Sequence, residues 1–284
     1  MRVHRILLIE MPALGEVDRR SAAPPYDILV LSQIIAEIRR DLPALRRRAF
    51  EVRAAAVRQD PPRDFVAALT TPGLSVVAEV KRASPSRGPI DADLDPATLA
   101  GEYCRGGAAA ISVLTESRHF LGSLDDLRRV RRAVDVPVLR KDFLLDPIQI
   151  WEARAAGADA VLLIVAALDD ETLTGLLSET HASGMEAMVE VHNPIEVDRA
   201  RAVGARVIAV NNRDLGTFQV DLGTAEMLAP LLKGAMVAVA ESGIWTRADV
   251  HRMRAAGYDA VLVGESLVRA PDPGSLLAGL LEDG

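Results

Sequence analysis

Eight short apolar runs, rich in valine and isoleucine, punctuate the chain from residue 75 onward. They are "SVVAEV" (75–80), "AAISVL" (109–114), "VPVL" (136–139), "AVLLIV" (160–165), "EAMVEV" (186–191), "VIAV" (207–210), "MVAVA" (236–240) and "AVLVG" (260–264). The runs are continuous rather than cleanly alternating, as parallel strands covered on both faces should be. Amphipathic stretches long enough for crossover helices separate them. Eight strands alternating with helices predict an α/β fold, a (β/α)8 barrel of the TIM type. The length of 284 residues suits one such barrel. Aromatic residues make up only 4% of the chain, so the core must be aliphatic.

An internal repeat supports the same architecture. "GGAAAI", "AGADAV", "VGARVI" and "AGYDAV" each set a glycine just before a strand: Gly107, Gly157, Gly204 and Gly257. Each glycine fits the left-handed position that ends a helix before the chain turns into a strand. They precede strands two, four, six and eight, so the repeating unit is a pair of βα elements.

Upstream, Ile34, Ile35, Ile38, Leu42 and Leu45 recur at three- and four-residue steps with arginines between them, which predicts a helix. "QDPPRDF" then breaks the chain. Residues 1–28 show no clear period, and residues 1–30 are expected to form a loose N-terminal extension. Residues 31–284 are expected to form a single barrel domain with this additional N-terminal helical segment. The opening apolar run is interrupted at Glu10, too early for a secretory core or a membrane span. A soluble, cytoplasmic protein with no membrane partner is expected.

In barrels of this type the chemistry sits at the C-terminal ends of the strands. Strand one ends in Glu79 and Lys81, two apart and so on one face. Strand two runs into Thr115 and Glu116, and strand three into Lys141 and Asp142. Strand five carries Glu190, strand six ends in "NNRD", strand seven in "ESG" and strand eight in "GES". A single charge after a strand is ordinarily a solvated loop end. The residue choice is less ordinary. Of 33 lysines and arginines only three are lysine, and two of these, Lys81 and Lys141, stand at strand ends. A lysine where arginine is the default suggests an amine that gives up a proton, which arginine effectively cannot do. Two of the three asparagines, Asn211 and Asn212, close strand six.

The glycine-containing turns after strands seven and eight occupy the usual phosphate position of such barrels, where backbone N–H groups and a helix N-terminus act as donors. Ser242, Gly243, Gly264 and Glu265 would contribute mainly main chain. No dinucleotide fingerprint or P-loop is present. The net charge of −7 comes without a long basic block, which argues against nucleic acid. The single cysteine, Cys104, reads as a buried thiol, and the five scattered histidines show no metal-ligand spacing.

"EVKRASPSRG", "SVLTE", "VLRKDF", "LLIVAAL", "VEVH", "VNNRDL" and "AESGI" occur in this order. Together, from about Ser32 to the C-terminus, they resemble the indole-3-glycerol-phosphate synthase family of tryptophan biosynthesis. The resemblance implies closure of the indole ring of 1-(2-carboxyphenylamino)-1-deoxyribulose 5-phosphate with loss of carbon dioxide and water, without cofactor or metal. It implies catalytic roles for Glu79, Lys81, Lys141, Glu190, Asn211 and Glu241. It places Ser84, Arg213 and Ser242 at further active-site positions and Phe120 beside the anthranilate ring. The implied partner is a small phosphorylated substrate; association with other pathway enzymes is left open. The family begins near Leu31, so residues 1–28 are extra and are expected to be dispensable for chemistry. Two other readings of the residues stand beside this one. Lys81 or Lys141 could act as a Schiff-base nucleophile, as in barrel aldolases, or the barrel could bind a phosphorylated ligand without turnover.

Overall fold

The computed structural model describes residues 26–85, 88–214 and 217–282. The first 25 residues, most of the expected extension, lie outside the described residues. Eight parallel strands close into a barrel: β1 Ser75–Val80, β2 Ala110–Leu114, β3 Val138–Lys141, β4 Ala160–Ile164, β5 Glu186–Val191, β6 Val207–Asn211, β7 Val237–Glu241 and β8 Ala260–Val263. Each strand pairs with its neighbours in sequence, and β8 returns to β1 with Ser75 beside Ala260. The expected (β/α)8 barrel is therefore the observed one.

Strand three is displaced from its expected span. It begins two residues later, at Val138, and runs through Arg140 and Lys141. Pro137 has no N–H to give to a ladder; its carbonyl instead accepts from Ile111 N at 2.9 Å. The shift puts Lys141 inside the strand rather than after it.

Helices α1 (Tyr26–Arg47), α2 (Ala49–Val57) and α3 (Phe65–Leu69) precede the barrel. Phe65, Val66 and Leu69 of α3 pack against Val77, Ala110, Leu139, Val207 and Val237, closing the N-terminal end of the barrel interior. Ile34 and Leu42 of α1 are buried, as the helical period predicts. The crossover helices are α4 (Pro96–Arg105), α5 (Leu124–Ala133), α6 (Pro147–Ala156), α7 (Asp170–Ala182), α8 (Pro194–Ala202), α9 (Gly223–Leu228) and α10 (Arg247–Ala256). After β8 come α11 (Glu265–Val268) and α12 (Pro273–Leu281).

The loop chemistry that stops one element and starts the next is local. Asp95, Ser123, Asp146, Asp169, Asn193 and Thr246 each cap a helix N-terminus through a side-chain oxygen. At the other ends, Gly107, Gly157, Gly204 and Gly257 all adopt the expected positive φ. The repeat is structural as well as sequential. Asp159 and Asp259 each stand before a strand and accept an N–H from the preceding strand, Val138 and Ala238 respectively, at 2.8 Å. Cys104 is only half buried, and burial pushes its thiol pKa up. Among the described residues no helix is long and apolar enough to cross a membrane.

Candidate active site

Alternation along the strands decides which side chains reach the barrel mouth. On β1, Val77 points into the barrel core, so Glu79 and then Lys81 follow on the same side. On β3, Leu139 is interior and Lys141 follows it. On β5, β6 and β7 the interior positions Met188, Ala209 and Val239 are followed by Glu190, Asn211 and Glu241. These six polar side chains line a cavity of about 520 Å3 at the C-terminal end of the barrel.

Lys141 is its centre of charge. Its Nζ lies 3.1 Å from Glu241 Oε2 and 3.4 Å from Glu190 Oε2. Beside it, Lys81 Nζ and Glu79 Oε1 form a second pair at 2.9 Å. Burial works against the Lys141 ammonium, but Glu241, Glu190 and Glu79 outweigh it and hold its pKa above the ordinary lysine range. The two carboxylates diverge. Burial disfavours ionised Glu190, yet Lys141 and His192 beside it hold its carboxyl well below the usual range. Burial, reinforced by the charge of Glu190, pushes Glu241 up to about 7 against the pull of Lys141. Glu241 Oε1 is buried without a hydrogen-bond partner among the described residues. Of the two carboxylates beside Lys141, one is thus pulled down and the other pushed up, the sense of separation that acid–base pairs use.

The turns after β7 and β8 complete the wall. Ser242 sits at φ 67°, a left-handed conformation uncommon for a residue with a side chain. Its Oγ donates to Asn211 Oδ1 at 2.8 Å, and the same oxygen accepts from Arg213 N at 3.0 Å. Gly264 has a reason beyond turn geometry: a Cβ there would stand 2.6 Å from Glu79 Oε1. The glycine makes room for the Glu79 carboxylate. Ser84, Arg213, Gly243 and Glu265 also line the cavity. The Arg213 guanidinium donates to Phe218 O at 3.1 Å, and Arg269 donates to Glu265 Oε1 at 3.1 Å.

Phe120 is held by a loop built on Glu116, whose carboxylate accepts from the backbone N–H groups of Arg118, His119 and Phe120. Its ring meets that of Phe143 with centroids 6.3 Å apart. All thirteen site residues expected from the sequence line this one cavity.

Other strand-end polar groups are tied into the scaffold, Asp142 while also bordering the cavity. Thr115 donates to Asp142 Oδ2 at 2.6 Å, and Arg140 bridges Asp142 and Glu152 at 3.0 Å each. Asn212 accepts from Ala225 N and donates to Ser242 O, pinning two loops together. Arg82, next to Lys81, pairs with Asp126 and donates to Leu94 O. Several wall residues escaped the sequence reading. Val30, Leu31 and Ile34 of α1, with Phe143, Phe218 and Trp245, also border the cavity. Helix α1 is tied to the Phe120 loop by Glu37–His119 at 3.0 Å and Asp41–Arg118 at 2.7 Å. Its apolar period was legible, but its place over the mouth carries no local signal.

The family model described as indole-3-glycerol phosphate synthase matches residues 31–280. The chain belongs to the indole-3-glycerol phosphate synthase family. The indole-3-glycerol phosphate synthase of Mycobacterium avium (strain 104) is 51% identical over 259 residues, covering 90% of this chain and 94% of that protein. The protein of the same description from Kineococcus radiotolerans is 52% identical over 264 residues, covering 90% and 96%. The family is one of carboxy-lyases in tryptophan biosynthesis. Thiamine phosphate pyrophosphorylase from Pyrococcus furiosus superposes with a TM-score of 0.55 at 17% identity, over 76% of this chain and 96% of that one. At that identity the likeness is one of fold alone.

Proposed function

We propose that this chain closes the indole ring of 1-(2-carboxyphenylamino)-1-deoxyribulose 5-phosphate, with loss of carbon dioxide and water, to give indole-3-glycerol phosphate. The observation that carries the reading is a buried ammonium, Lys141, set 3.4 Å from Glu190 and 3.1 Å from Glu241 at the barrel mouth, beside the Lys81–Glu79 pair. In ring closure the ring carbon that bears the carboxylate bonds to the ketone carbon, and negative charge develops on the ketone oxygen. Lys141 is placed to stabilise that charge and to protonate it. The surrounding carboxylates hold the proton on Lys141 in the free enzyme, yet an alkoxide is far more basic than an amine, so transfer remains downhill. Carbon dioxide departs, leaving its electron pair to restore the aromatic ring.

Dehydration then needs an acid for the leaving hydroxyl and a base for the ring proton. The Lys81–Glu79 pair and the Glu190–Glu241 pair provide candidates for both, with Asn211 and Ser242 orienting groups beside them. Phe120 forms an apolar wall for the anthranilate ring. The turns carrying Ser242, Gly243, Gly264 and Glu265 are the proposed phosphate cradle, with Ser84 and Arg213 at its rim. The reaction as read uses side chains alone. We place it in the cytoplasm, with the small phosphorylated substrate as its partner.

The test is a fluorescence assay for indole formation with the purified full chain, run beside borohydride trapping with the keto substrate. Indole fluorescence without a trapped adduct is the expected outcome. A covalent adduct on Lys81 or Lys141 would instead make this an aldolase-like site. The charged state of Lys141 argues against that, because a Schiff-base lysine must offer a free amine. Tight substrate binding with no indole would mark a barrel without turnover.

A further inference from the structure

Behind Glu190 the charge does not end. The segment "EVHNPIE" (190–196) carries it from the strand end to the first turn of α8. His192 Nε2 lies 3.2 Å from Glu190 Oε1, an ion-pair contact rather than an aligned hydrogen bond. On the other side of the ring, His192 Nδ1 is 2.9 Å from Glu196 Oε2. Glu196 is itself fixed: its Oε2 also accepts from His192 N at 2.8 Å, and its Oε1 accepts from Asn193 Nδ2 at 2.7 Å. Asn193 Oδ1 in turn caps the helix by accepting from Glu196 N at 3.0 Å. The ring does not border the cavity that the substrate would fill.

We propose that His192, with Glu196 behind it, is the positioning residue that holds the Glu190 carboxylate against Lys141. The inference rests on the acid–base reading of Lys141 and Glu190 above. The charged groups facing the ring are Glu190 from β5 and Glu196 from α8; Lys141 from β3 stands beyond Glu190. Burial opposes charging the imidazole, but those two carboxylates push its pKa up to about 10. His192 is then a cation at neutral pH. Its charge keeps Glu190 ionised, and its anchoring on a capped helix fixes which way that carboxylate faces. Without it, Glu190 would have Lys141 as its one cationic neighbour and a freer side chain. A shift of such a group costs rate even where binding survives.

The experiment uses the full chain with His192→Gln, His192→Phe and Glu196→Gln, measured by indole fluorescence and by 15N resonances of the histidine rings. Each variant is expected to lower kcat by about 10- to 100-fold with KM changed less than about threefold. In the two His192 variants the acid limb of the pH profile should move to higher pH, because Glu190 loses one of the two cations, Lys141 and His192, that keep it ionised. In the wild type the His192 ring should read as imidazolium through about pH 8. In Glu196→Gln it should begin to titrate at lower pH. Should His192→Phe fail to fold, the two glutamine variants carry the test. A lowered Tm with an unmoved acid limb would make His192 a structural residue and overturn the proposal. So would a neutral ring at pH 7 in the wild type. The ring resonances need no substrate: a charged His192 in a protein that forms no indole would sink the ring-closing reading and leave the His192–Glu190 contact standing.

Discussion

The two ends of the barrel bury acidic side chains in opposite ways. At the N-terminal end, Asp159 is almost fully buried and every contact around it is closed. Its Oδ1 accepts from Arg63 N and its Oδ2 from Val138 N, each at 2.8 Å, with Arg131 at 3.4 Å. Asp259 repeats the motif half a barrel away. At the mouth, Glu241 is just as buried, but one of its oxygens has no partner and its strongest neighbours are two charges of opposite sign. Burial pushes both carboxyls up. The one saturated by backbone donors ties strands together, and the one left short of partners is free to change its protonation with its neighbours. Stability is expected from one end and the proposed chemistry from the other.

The largest effect should come from the mouth. Lys141→Arg keeps the charge but replaces the compact ammonium with a planar guanidinium that cannot set a proton at the same point, so single-turnover rate should fall ~100-fold or more while substrate affinity is kept. Lys141→Ala should be as slow or slower and should also bind less well. Near-wild-type turnover in Lys141→Arg would reduce Lys141 to an electrostatic anchor and shift the search for the acid to Lys81.

Asp159→Ala is the matching cut at the closed end. It strands two backbone donors and leaves Arg131 without its buried partner. Denaturant unfolding should show a loss of about 3 kcal/mol or more, while the folded fraction turns over at the wild-type rate. A rate effect comparable to that of Lys141→Arg would break the division between the two ends.

Two glycines sharpen the contrast. Gly264→Ala would drive a Cβ to 2.6 Å from Glu79 Oε1, so activity should fall by about tenfold as the carboxylate is displaced. Gly257→Ala meets no atom within 4 Å, but its φ of 98° suits only glycine. It should cost about 1–2 kcal/mol of stability with no change in kcat. Equal loss of activity from both would mean that strain, not displacement of Glu79, explains the first.

The smallest effect concerns pH. The Glu241 pKa is raised in the folded protein, so this group favours folding below its unfolded value. That contribution is lost as pH rises from about 4.5 through about 7. Glu190 acts in the other direction, but its window lies below its unfolded value and does not overlap. Glu241→Gln should therefore be more thermally stable than wild type at pH 8, with the difference shrinking toward pH 5, and be slower in turnover. Parallel Tm curves across that range would remove the claim that Glu241 is held near its titration point.

The barrel was legible in the sequence because its signals are local. Continuous aliphatic runs and a glycine before alternate strands act within a few residues. The two-residue alternation of a strand likewise put Glu79 and Lys81 on one face before any fold was known. The scarcity of lysine singled out Lys81 and Lys141, and the asparagines singled out Asn211. Even Pro137, whose missing N–H moved β3 two residues along, acts locally. Only closure of the barrel decided which of these groups meet. It brought Lys141 between Glu190 and Glu241 from two distant strands, and drew Thr115, Asp142 and Asn212, equally polar at equally suggestive strand ends, into the scaffold. It laid α1 across the mouth and turned His192 toward Glu190. Nor could sequence set the protonation states. Burial penalises the charges of Lys141, Glu190 and Glu241, and the neighbours that folding places beside each decide which way it shifts.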